Sequence, residues 1–355
     1  MSQPDVTICT VVMNRLNHIM QTLPLNLANN PERNVQFLVL DYGSTDGLGS
    51  YIKTNYSQEL KQGKLVYWRY KAATSFHHSH ARNLAFKLAT GSILCNNDAD
   101  NFTGKGFASF VLENMKKEQN ICLTGVRNCW SPDASGRLCI SRSNFYSVTG
   151  YDESFDGYGF EDFDIVNRLV LSGCKAYTIN KREFLQSVSH THDERIQNQR
   201  CSVLLKDLFV RFIDENSSEL LFFFKDNTYA LGKVINTYTL QSEHPEAPPL
   251  DIKSVNYQFE VENGWSVGRW NQAGEQLTFQ DKTQFIIHAE GNGRVLESST
   301  GQTFKSVSSK TLQLEAVSFF NQSRNRSKLD YNIRNHMVRV NKTFGTGTVS
   351  RFEVH

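Results

Sequence analysis

The sequence predicts an α/β protein with a Rossmann-like, mostly parallel sheet and helices on both faces, followed by a smaller β-rich domain. Strand-like and helix-like segments alternate over about the first 200 of the 355 residues. After roughly residue 205, short apolar runs separated by Gly, Asn and Asp replace that alternation. We place the boundary so that the domains are 1–212 and 213–355, and we expect a chain truncated near residue 212 to keep its ligand binding.

The first half supplies the elements of this sheet. Apolar runs without strict alternation predict strands that are buried on both faces. They lie at residues 6–13, 35–41, 65–70 and 92–95. Helical spacing covers residues 16–29, despite Pro24, and residues 79–91, where Gly91 occupies the position expected of a helix C-cap.

Four short runs predict the strands of the second half, because each of them alternates or is continuously apolar. They are "SELLFFFKD" (218–226), "VNYQFEVENG" (255–264), "TQFIIHAEGNG" (283–293) and "TLQLEAVSFF" (311–320). The proline-rich stretch 241–251 predicts a surface loop or connector. Trp265 and Trp270 could line a glycan groove, but a place in the core of the β domain is the stronger expectation.

Composition narrows the class of protein. A formal charge of +2 is too small to indicate nucleic acid binding. The seven cysteines are scattered and mostly lie in apolar segments, which predicts buried, reduced thiols. The sequence shows no basic segment followed by an apolar one at its start and no apolar run of membrane-spanning length. We therefore expect a cytoplasmic protein without a transmembrane segment, or one peripheral at the inner face of the membrane.

Two aspartates follow the fourth predicted strand in "GSILCNNDADNFTG" (91–104). Ligands of open α/β sheets bind beyond the carboxyl ends of the strands. On an extended chain Asp98 and Asp100 point to one side while Ala99 points away, and a divalent cation would relieve their repulsion. The alternative is a turn, because Asp and Asn favour turns.

Two further charged residues face the same predicted crevice. Asp41 ends the second strand in "VLDYGSTDG", where it can accept hydrogen bonds from a base or ribose or, equally well, open a turn. Arg82 lies in the first turn of the helix in "SHARN", where its guanidinium could bind a diphosphate. A surface arginine is the ordinary alternative.

The segment "GYDESFDGYGFEDFDIVNRLVLSG" (150–173) carries the strongest signal. Gly157 and Gly159 bracket Tyr158, which indicates a flexible loop with an aromatic surface suited to a sugar ring. Glu161 and Asp162 begin the following helix, whose dipole is expected to keep both carboxylates ionised. Acids at helix starts are common, but that alternative does not account for the glycines and the tyrosine.

Two histidines follow in "SVSHTHDERIQNQR". A neutral imidazole can complete a metal site that carboxylates begin. Only one of His190 and His192 is needed for this, and exposure to solvent is the usual alternative for either.

Taken in order, these motifs resemble those of family 2 glycosyltransferases of the GT-A fold. The resemblance covers about residues 5 to 200 and rests on "TVVMNR", "VLDYGSTDG", "SHARNLAFKLATGSILCNNDADN" and "GYDESFDGYGFEDFDIVNRL". The last motif also resembles the carboxyl-terminal catalytic motif of β-1,4-galactosyltransferases and of bacterial chondroitin-type synthases. Residues 213–355 resemble no family in this way.

The resemblance implies a role for each matching residue. Asp162 is implied as the catalytic base, with Glu161 beside it, and Tyr158 and Glu161 as the acceptor surface. Asp98, Asp100 and His190, with His192 as the alternative to His190, are implied as ligands of Mn²⁺ or Mg²⁺. The residues implied to contact the nucleotide sugar are Thr10, Asn14, Arg15, Asp41, Arg82, Asn97 and Asp98.

The predicted activity is therefore metal-dependent, inverting transfer of a sugar from a nucleoside-diphosphate sugar, with UDP expected, to a hydroxyl of a glycan or glycoconjugate, as in polysaccharide biosynthesis. A single base and no evident nucleophile on the opposite face favour inversion. Two alternatives are a nucleotide-sugar or glycan-binding protein without catalysis and a sugar nucleotidyltransferase. The sequence lacks the Gly-rich, basic triphosphate loop expected of the latter.

Overall fold

The computed structural model describes residues 3–126, 132–214, 217–236, 257–291 and 293–353. The chain divides into two compact units, one formed by Met1–His192 with Lys328–His355 and the other by Asp193–Ser327. This division differs from the predicted boundary after residue 212, because it falls earlier and because the last residues return to the first unit. The proline-rich stretch 241–251 lies outside the described residues.

The first unit alternates strands and helices. Its strands are β1 (Val6–Val12), β2 (Val35–Asp41), β3 (Leu65–Tyr70), β4 (Ile93–Asn96), β5 (Asn101–Phe102), β6 (Ile121–Thr124), β7 (Leu138–Ser141), β8 (Lys175–Thr178), β9 (Gln186–Ser187) and β18 (Val349–Arg351). Its helices are α1 (Leu16–Asn29), α2 (Leu48–Asn55), α3 (Ser57–Lys61), α4 (His78–Leu88), α5 (Phe107–Lys117), α6 (Arg142–Ser147) and α7 (Glu161–Leu171), with α8 (His192–Ile196) at the boundary.

Eight of these strands form one sheet in the order β18-β3-β2-β1-β4-β7-β6-β8. The central strands β3, β2, β1 and β4 are parallel, and β7 runs antiparallel between β4 and β6. Separate apolar clusters pack against the two faces of the sheet. The predicted α/β architecture with a mostly parallel sheet is confirmed, and the carboxyl ends of β1, β2 and β4 lie at one edge.

The predicted elements of this unit match closely except at the end of α4. The helix ends at Leu88 and Ala89 caps it in an extended conformation, so the assignment of Gly91 as C-cap is wrong. A Cβ at Gly91 would lie 2.7 Å from the backbone nitrogen of Thr7. Close approach to β1, and not a left-handed turn, requires glycine here.

The carboxyl-terminal segment 338–352 packs onto the first unit. Strand β18 pairs with β3 at the sheet edge. Lys87 of α4 donates to the carbonyl of Phe344 at 2.8 Å. Asn341 donates to the carbonyls of Thr149 at 2.8 Å and Tyr151 at 2.7 Å. The tail thus holds both α4 and the loop that precedes α7.

Deletion of residues 336–353 should therefore destabilise the first unit, contrary to the expectation that a chain ending near residue 212 is self-sufficient. Each lost hydrogen bond contributes about 1 kcal/mol net, so the loss amounts to several kcal/mol. The melting temperature of this unit should fall by roughly 10 °C, measured by calorimetry. As a matched pair, Asn341→Ala should reproduce part of the loss, whereas Ser350→Ala at an exposed position should not. An unchanged melting temperature in the deletion would show that the tail is dispensable.

The second unit contains a closed barrel of eight strands among its described residues, together with helices. Its strands are β10 (Leu205–Phe212), β11 (Ser217–Phe224), β12 (Thr228–Asn236), β13 (Tyr257–Ala273), β14 (Gln276–Phe279), β15 (Gln284–Glu290), β16 (Gly293–Ser298) and β17 (Thr303–Ser306). The helices are α9 (Arg200–Leu204) and α10 (Lys310–Arg334), the last turns of which count with the first unit.

The predicted strand "TLQLEAVSFF" is wrong, because these residues begin α10. Leu312, Ala316 and Phe320 recur every four residues and are buried, which is the period of a helix face. They pack in one apolar cluster with Phe222 of β11. Phe223, the next residue of β11, belongs to the second cluster of the barrel. Both faces of β11 are buried, which accounts for its uninterrupted apolar sequence.

The tryptophans of this unit are packed as expected. Trp270 is 6% exposed and lies among the aromatic residues of the second barrel cluster. Trp265 packs against Phe222 and Phe320, and its indole nitrogen donates to Ser323 at 2.8 Å. Neither indole is arranged as an open glycan surface.

Six cysteines are free and buried, as predicted, and Cys129 lies outside the described residues. Within the described ranges, no helix combines the length and apolarity needed to span a membrane.

Candidate active site

The two aspartates after β4 lie in a turn. The backbone nitrogen of Asn101 donates to the carbonyl of Asp98 at 2.9 Å, so the extended geometry predicted for this segment is wrong and the turn alternative holds. Asn and Asp stabilise such turns through their short polar side chains. Ala99 still points into the core, but Asp98 and Asp100 have different partners.

Arg82 of α4 connects three carboxylates. Its Nη2 lies 3.1 Å from Oδ1 of Asp98, and its Nη1 lies 2.9 Å from Asp162 and 3.1 Å from Glu161. The side chain is 4% exposed. The structure therefore places Arg82 among acidic side chains and not at the surface. One guanidinium joins the end of β4 to the start of α7.

Asp162 is buried beside other negative charges. Burial raises its pKa to about 7, the negative charges of Glu161 and Asp98 add to the rise, and Arg82 opposes it. The prediction that the helix dipole keeps this carboxylate ionised is wrong, because desolvation and like charges outweigh the dipole. A carboxylate with a pKa near 7 can both take and hold a proton at neutral pH.

The pKa of Asp98 is shifted in the opposite direction from that of Asp162, although both carboxylates bind Arg82. Burial opposes its ionisation, but the charge of Arg82 and the hydrogen bonds from Asn96 and Arg82 hold the pKa of Asp98 below its usual value. The side-chain nitrogen of Asn96 lies 3.0 Å from Oδ1 of Asp98. Two acids that share one guanidinium therefore have pKa values shifted in opposite directions, lowered at Asp98 and raised at Asp162.

Glu161 fixes the loop that carries Tyr158. Its Oε2 accepts a hydrogen bond from the backbone nitrogen of Gly159 at 3.1 Å. Gly157 and Gly159 have φ of 81° and 108°, which only glycine adopts easily. Tyr158 is half-buried, and its ring meets that of His78 edge-on with centroids 5.8 Å apart. The predicted loop and its aromatic surface thus lie directly beside the two acids.

Asp41 is 1% exposed, and its oxygens accept hydrogen bonds from within the protein. Oδ1 accepts from the backbone nitrogen of Ser44 at 2.7 Å and Oδ2 from the hydroxyl of Tyr67 at 2.6 Å. Arg69 lies 3.4 Å away. This geometry favours the turn interpretation over direct contact with a nucleoside.

The remaining residues expected to contact a nucleotide sugar lie at the same sheet edge. Thr10 is buried within β1, and Arg15 directly precedes α1. Oδ1 of Asn14 accepts from the backbone nitrogen of Thr45 at 2.8 Å. Asn97 is 1% exposed, and its Oδ1 has no hydrogen-bond partner among the described residues. These contacts join the loop after β1 to the turn after β2.

The predicted metal ligands are only partly assembled. Nε2 of His190 lies 2.7 Å from Oδ2 of Asp100, whereas Asp98 faces Arg82. The side chain of His192 is outside the described residues. Within the described parts of the chain, no three His, Cys, Asp or Glu side chains converge on one point, so the predicted three-residue site is not formed here.

The pair Asp100 and His190 is joined by a hydrogen bond. Nε2 of His190 lies 2.7 Å from Oδ2 of Asp100, and Nδ1 lies 3.2 Å from the carbonyl of Thr191. A carboxylate and an imidazole are donors that suit Mn²⁺.

Sequence reasoning missed two close neighbours of the acids. A Cβ at Gly136 would lie 2.5 Å from Oδ2 of Asp98 and 2.8 Å from Nη2 of Arg82, so glycine is needed there. His78 lies 3.9 Å from Oε1 of Glu161. The run "FHHSH" (76–80) could have drawn attention to His78, whereas no local signal marks Gly136.

Comparison with known proteins gives one family match, over part of the chain. The family model described as the N-terminal domain of galactosyltransferase matches residues 124–193. That span contains Gly136, Tyr158, the acids of α7 and His190. A search of curated proteins found no match.

Several solved structures match part of this chain. A mannosyltransferase from Pyrobaculum calidifontis, solved with GDP-Man and Mn²⁺, is 17% identical over 55% of this chain and 60% of its own, with a TM-score of 0.45. TarS 1-349 from S. aureus is 13% identical over 54% of this chain and 61% of its own, with a TM-score of 0.44. Drosophila β1,4-galactosyltransferase 7 with xylobiose is 14% identical over 56% and 75%, with a TM-score of 0.38. This chain thus spans about three fifths of the first two structures.

Two observations bear on the class of the protein. The first unit has a mostly parallel sheet, and within it one segment is similar to a known family. Its segment 124–193 is the part that is similar to the galactosyltransferases.

Proposed function

We propose that the protein is a metal-dependent, inverting glycosyltransferase that moves a sugar from a nucleoside-diphosphate sugar, with UDP as the nucleotide, to a hydroxyl of a glycan or glycoconjugate. The observation that carries the proposal is the environment of Asp162. This residue has a pKa raised to about 7, a side chain that is 15% exposed, and a position beside Tyr158 and Asp98. A base of that strength next to an aromatic surface suits deprotonation of a sugar hydroxyl.

The reaction is a single displacement. Asp162 takes the proton of the acceptor hydroxyl as the hydroxyl oxygen bonds to the anomeric carbon, and the bond from that carbon to the diphosphate oxygen breaks. Attack from the face opposite the leaving group inverts the anomeric configuration. Glu161 holds the loop of Tyr158 through Gly159, so the acceptor surface and the base are positioned by adjacent residues.

Asp100 and His190, with Asp98 from the same turn, would hold the divalent ion, Mn²⁺ or Mg²⁺. When bound, such an ion neutralises charge on the diphosphate. Arg82 keeps Asp98 ionised. The catalytic domain is proposed to be the first unit, Met1–His192 with Lys328–His355. The cytoplasmic location stays a prediction.

The proposal is tested by incubation with a panel of nucleotide sugars and Mn²⁺, with release of nucleoside diphosphate as the readout. We expect release with at least one donor. Formation of pyrophosphate from a nucleoside triphosphate and a sugar phosphate would indicate a nucleotidyltransferase instead. Binding without any release would indicate a binding protein.

Metal dependence is tested by calorimetry with UDP. Replacement of Asp98 and Asp100 by Asn should abolish binding, as should excess chelator, because the diphosphate charge is then uncompensated. Asp281→Asn, in a turn of the barrel where the side chain only accepts from Thr283, is the matched control and should bind normally. Unchanged affinity in chelator would contradict the metal assignment.

His190→Ala should weaken Mn²⁺ binding about tenfold or more, because even outer-shell substitutions cost 10- to 100-fold. The comparison is His192→Ala, which should have the smaller effect. Titration of each variant with Mn²⁺ measures the difference. The reverse ranking would identify His192 as the ligand.

A further inference from the structure

His78 has an unused hydrogen-bonding side chain at the acceptor side of the site. Its Nε2 is buried and has no partner among the described residues. Its Nδ1 lies 3.9 Å from Oε1 of Glu161, which is too far for a hydrogen bond. A buried polar atom without a partner is costly, and the cost is recovered when a ligand supplies the partner.

The surroundings hold this imidazole in place. The ring lies edge-on against Phe76, with centroids 4.7 Å apart, and against Tyr158 at 5.8 Å. Its side chain is 14% exposed, so the ring is largely held by protein contacts. A side chain fixed in this way loses little entropy when a ligand binds.

The ring is neutral. Burial lowers the pKa of His78 to about 4, the positive charge of Arg82 contributes, and Glu161 and Asp98 only partly offset them. A neutral imidazole has one donor and one acceptor, which matches a sugar hydroxyl. A diphosphate would instead require a cation.

We propose that His78 is a specificity-determining residue that hydrogen-bonds a hydroxyl of the acceptor sugar lying against Tyr158. This rests on the proposed glycosyltransferase function and names one of its acceptor contacts. An acceptor that lacks this hydroxyl leaves Nε2 unpaired, so it should be rejected more strongly than loss of one ordinary contact would explain.

The test uses the full chain with Mn²⁺ and UDP and a panel of methyl glycosides of glucose, galactose, N-acetylglucosamine and xylose. Binding is followed by saturation-transfer difference NMR. At least one glycoside should bind, and His78→Phe should weaken it tenfold or more while leaving UDP affinity unchanged. His78→Gln, which keeps a donor and an acceptor, should recover part of the loss. Phe and Gln variants that both bind glycosides normally would overturn the proposal, as would a panel in which nothing binds.

Deoxy derivatives of the bound glycoside give a second test, whose main readout comes from the wild-type protein. One derivative should bind the wild-type protein about tenfold more weakly than its parent, and His78→Phe should not distinguish the two. Equal binding of every deoxy derivative by the wild-type protein would contradict the proposal. If glycosides bind through His78 but no donor releases nucleoside diphosphate, the transferase function fails while this contact stands.

Discussion

Asp162→Asn should abolish transfer while metal and donor binding survive. Asparagine keeps the shape of the side chain but cannot take a proton, and loss of a general base typically costs a factor of about 10² to 10⁴. Single-turnover assays measure the rate, and calorimetry with UDP and Mn²⁺ measures binding. Glu161→Gln should be milder, because Glu161 positions the loop, and Glu113→Gln, at an exposed position of α5, should have no effect.

The same variant tests the proton chemistry through pH. For wild-type enzyme, kcat/KM should rise about tenfold per pH unit below 7 and level off above it. Because the folded pKa is raised, the stability that protonated Asp162 contributes is present below about pH 4 and is lost as the pH rises through about 7. Asp162→Asn should therefore melt at a higher temperature than wild type at pH 8, and the two should converge near pH 4. Near-normal turnover, or a product with the donor's anomeric configuration, would overturn the mechanism.

Arg82→Met should cause the largest loss of stability in the first unit. It leaves Asp98, Glu161 and Asp162 without the cation that they share, and an uncompensated buried charge costs about 3 to 5 kcal/mol. The pKa values of Asp98 and Asp162 should rise, because Arg82 holds both down. The deficit should be larger at pH 8 than at pH 5, since protonation neutralises the acids.

Thermal denaturation at the two pH values measures this effect. Arg82→Lys keeps the charge but not the fork that reaches several acids, so it should lie between wild type and Arg82→Met. Arg326→Met, at an exposed position of α10, should leave the melting temperature unchanged. A deficit that does not depend on pH would show that packing, and not charge, is what Arg82 supplies.

Local sequence pattern predicted the first sheet well because its strands are long, apolar and separated by clear turn residues. Strands β2 and β3 have the predicted bounds. The start of α10 was mistaken for a strand because ten residues with several apolar positions satisfy either period. Only packing of Phe320 against the barrel decides between them.

The sequence predicts which residues belong to the candidate site but not which of them contact one another. Asp98, Arg82 and Asp162 were identified separately from their motifs, yet their contact with one another joins residues up to 80 positions apart. Gly136 and the tail carry no local signal in the sequence. Both matter because of residues that are distant in sequence and adjacent in the fold. The pKa of Asp162 was misjudged for the same reason, since the helix dipole is visible in sequence and the neighbouring charges are not.

The return of residues 338–352 to the first unit has a consequence for biosynthesis. Domains usually fold as they leave the ribosome, amino-terminal first, but here strand β18 and Asn341 emerge after the whole barrel. At 5 to 20 residues per second, the interval between residues 205 and 350 is roughly 7 to 30 s. During this time the edge of β3 is unpaired and the loop at Tyr151 lacks its hydrogen bonds from Asn341. A nascent chain should therefore complete its candidate active site only after translation of the tail, and ribosome-bound intermediates stalled before residue 338 are the species that chaperones and proteases would encounter.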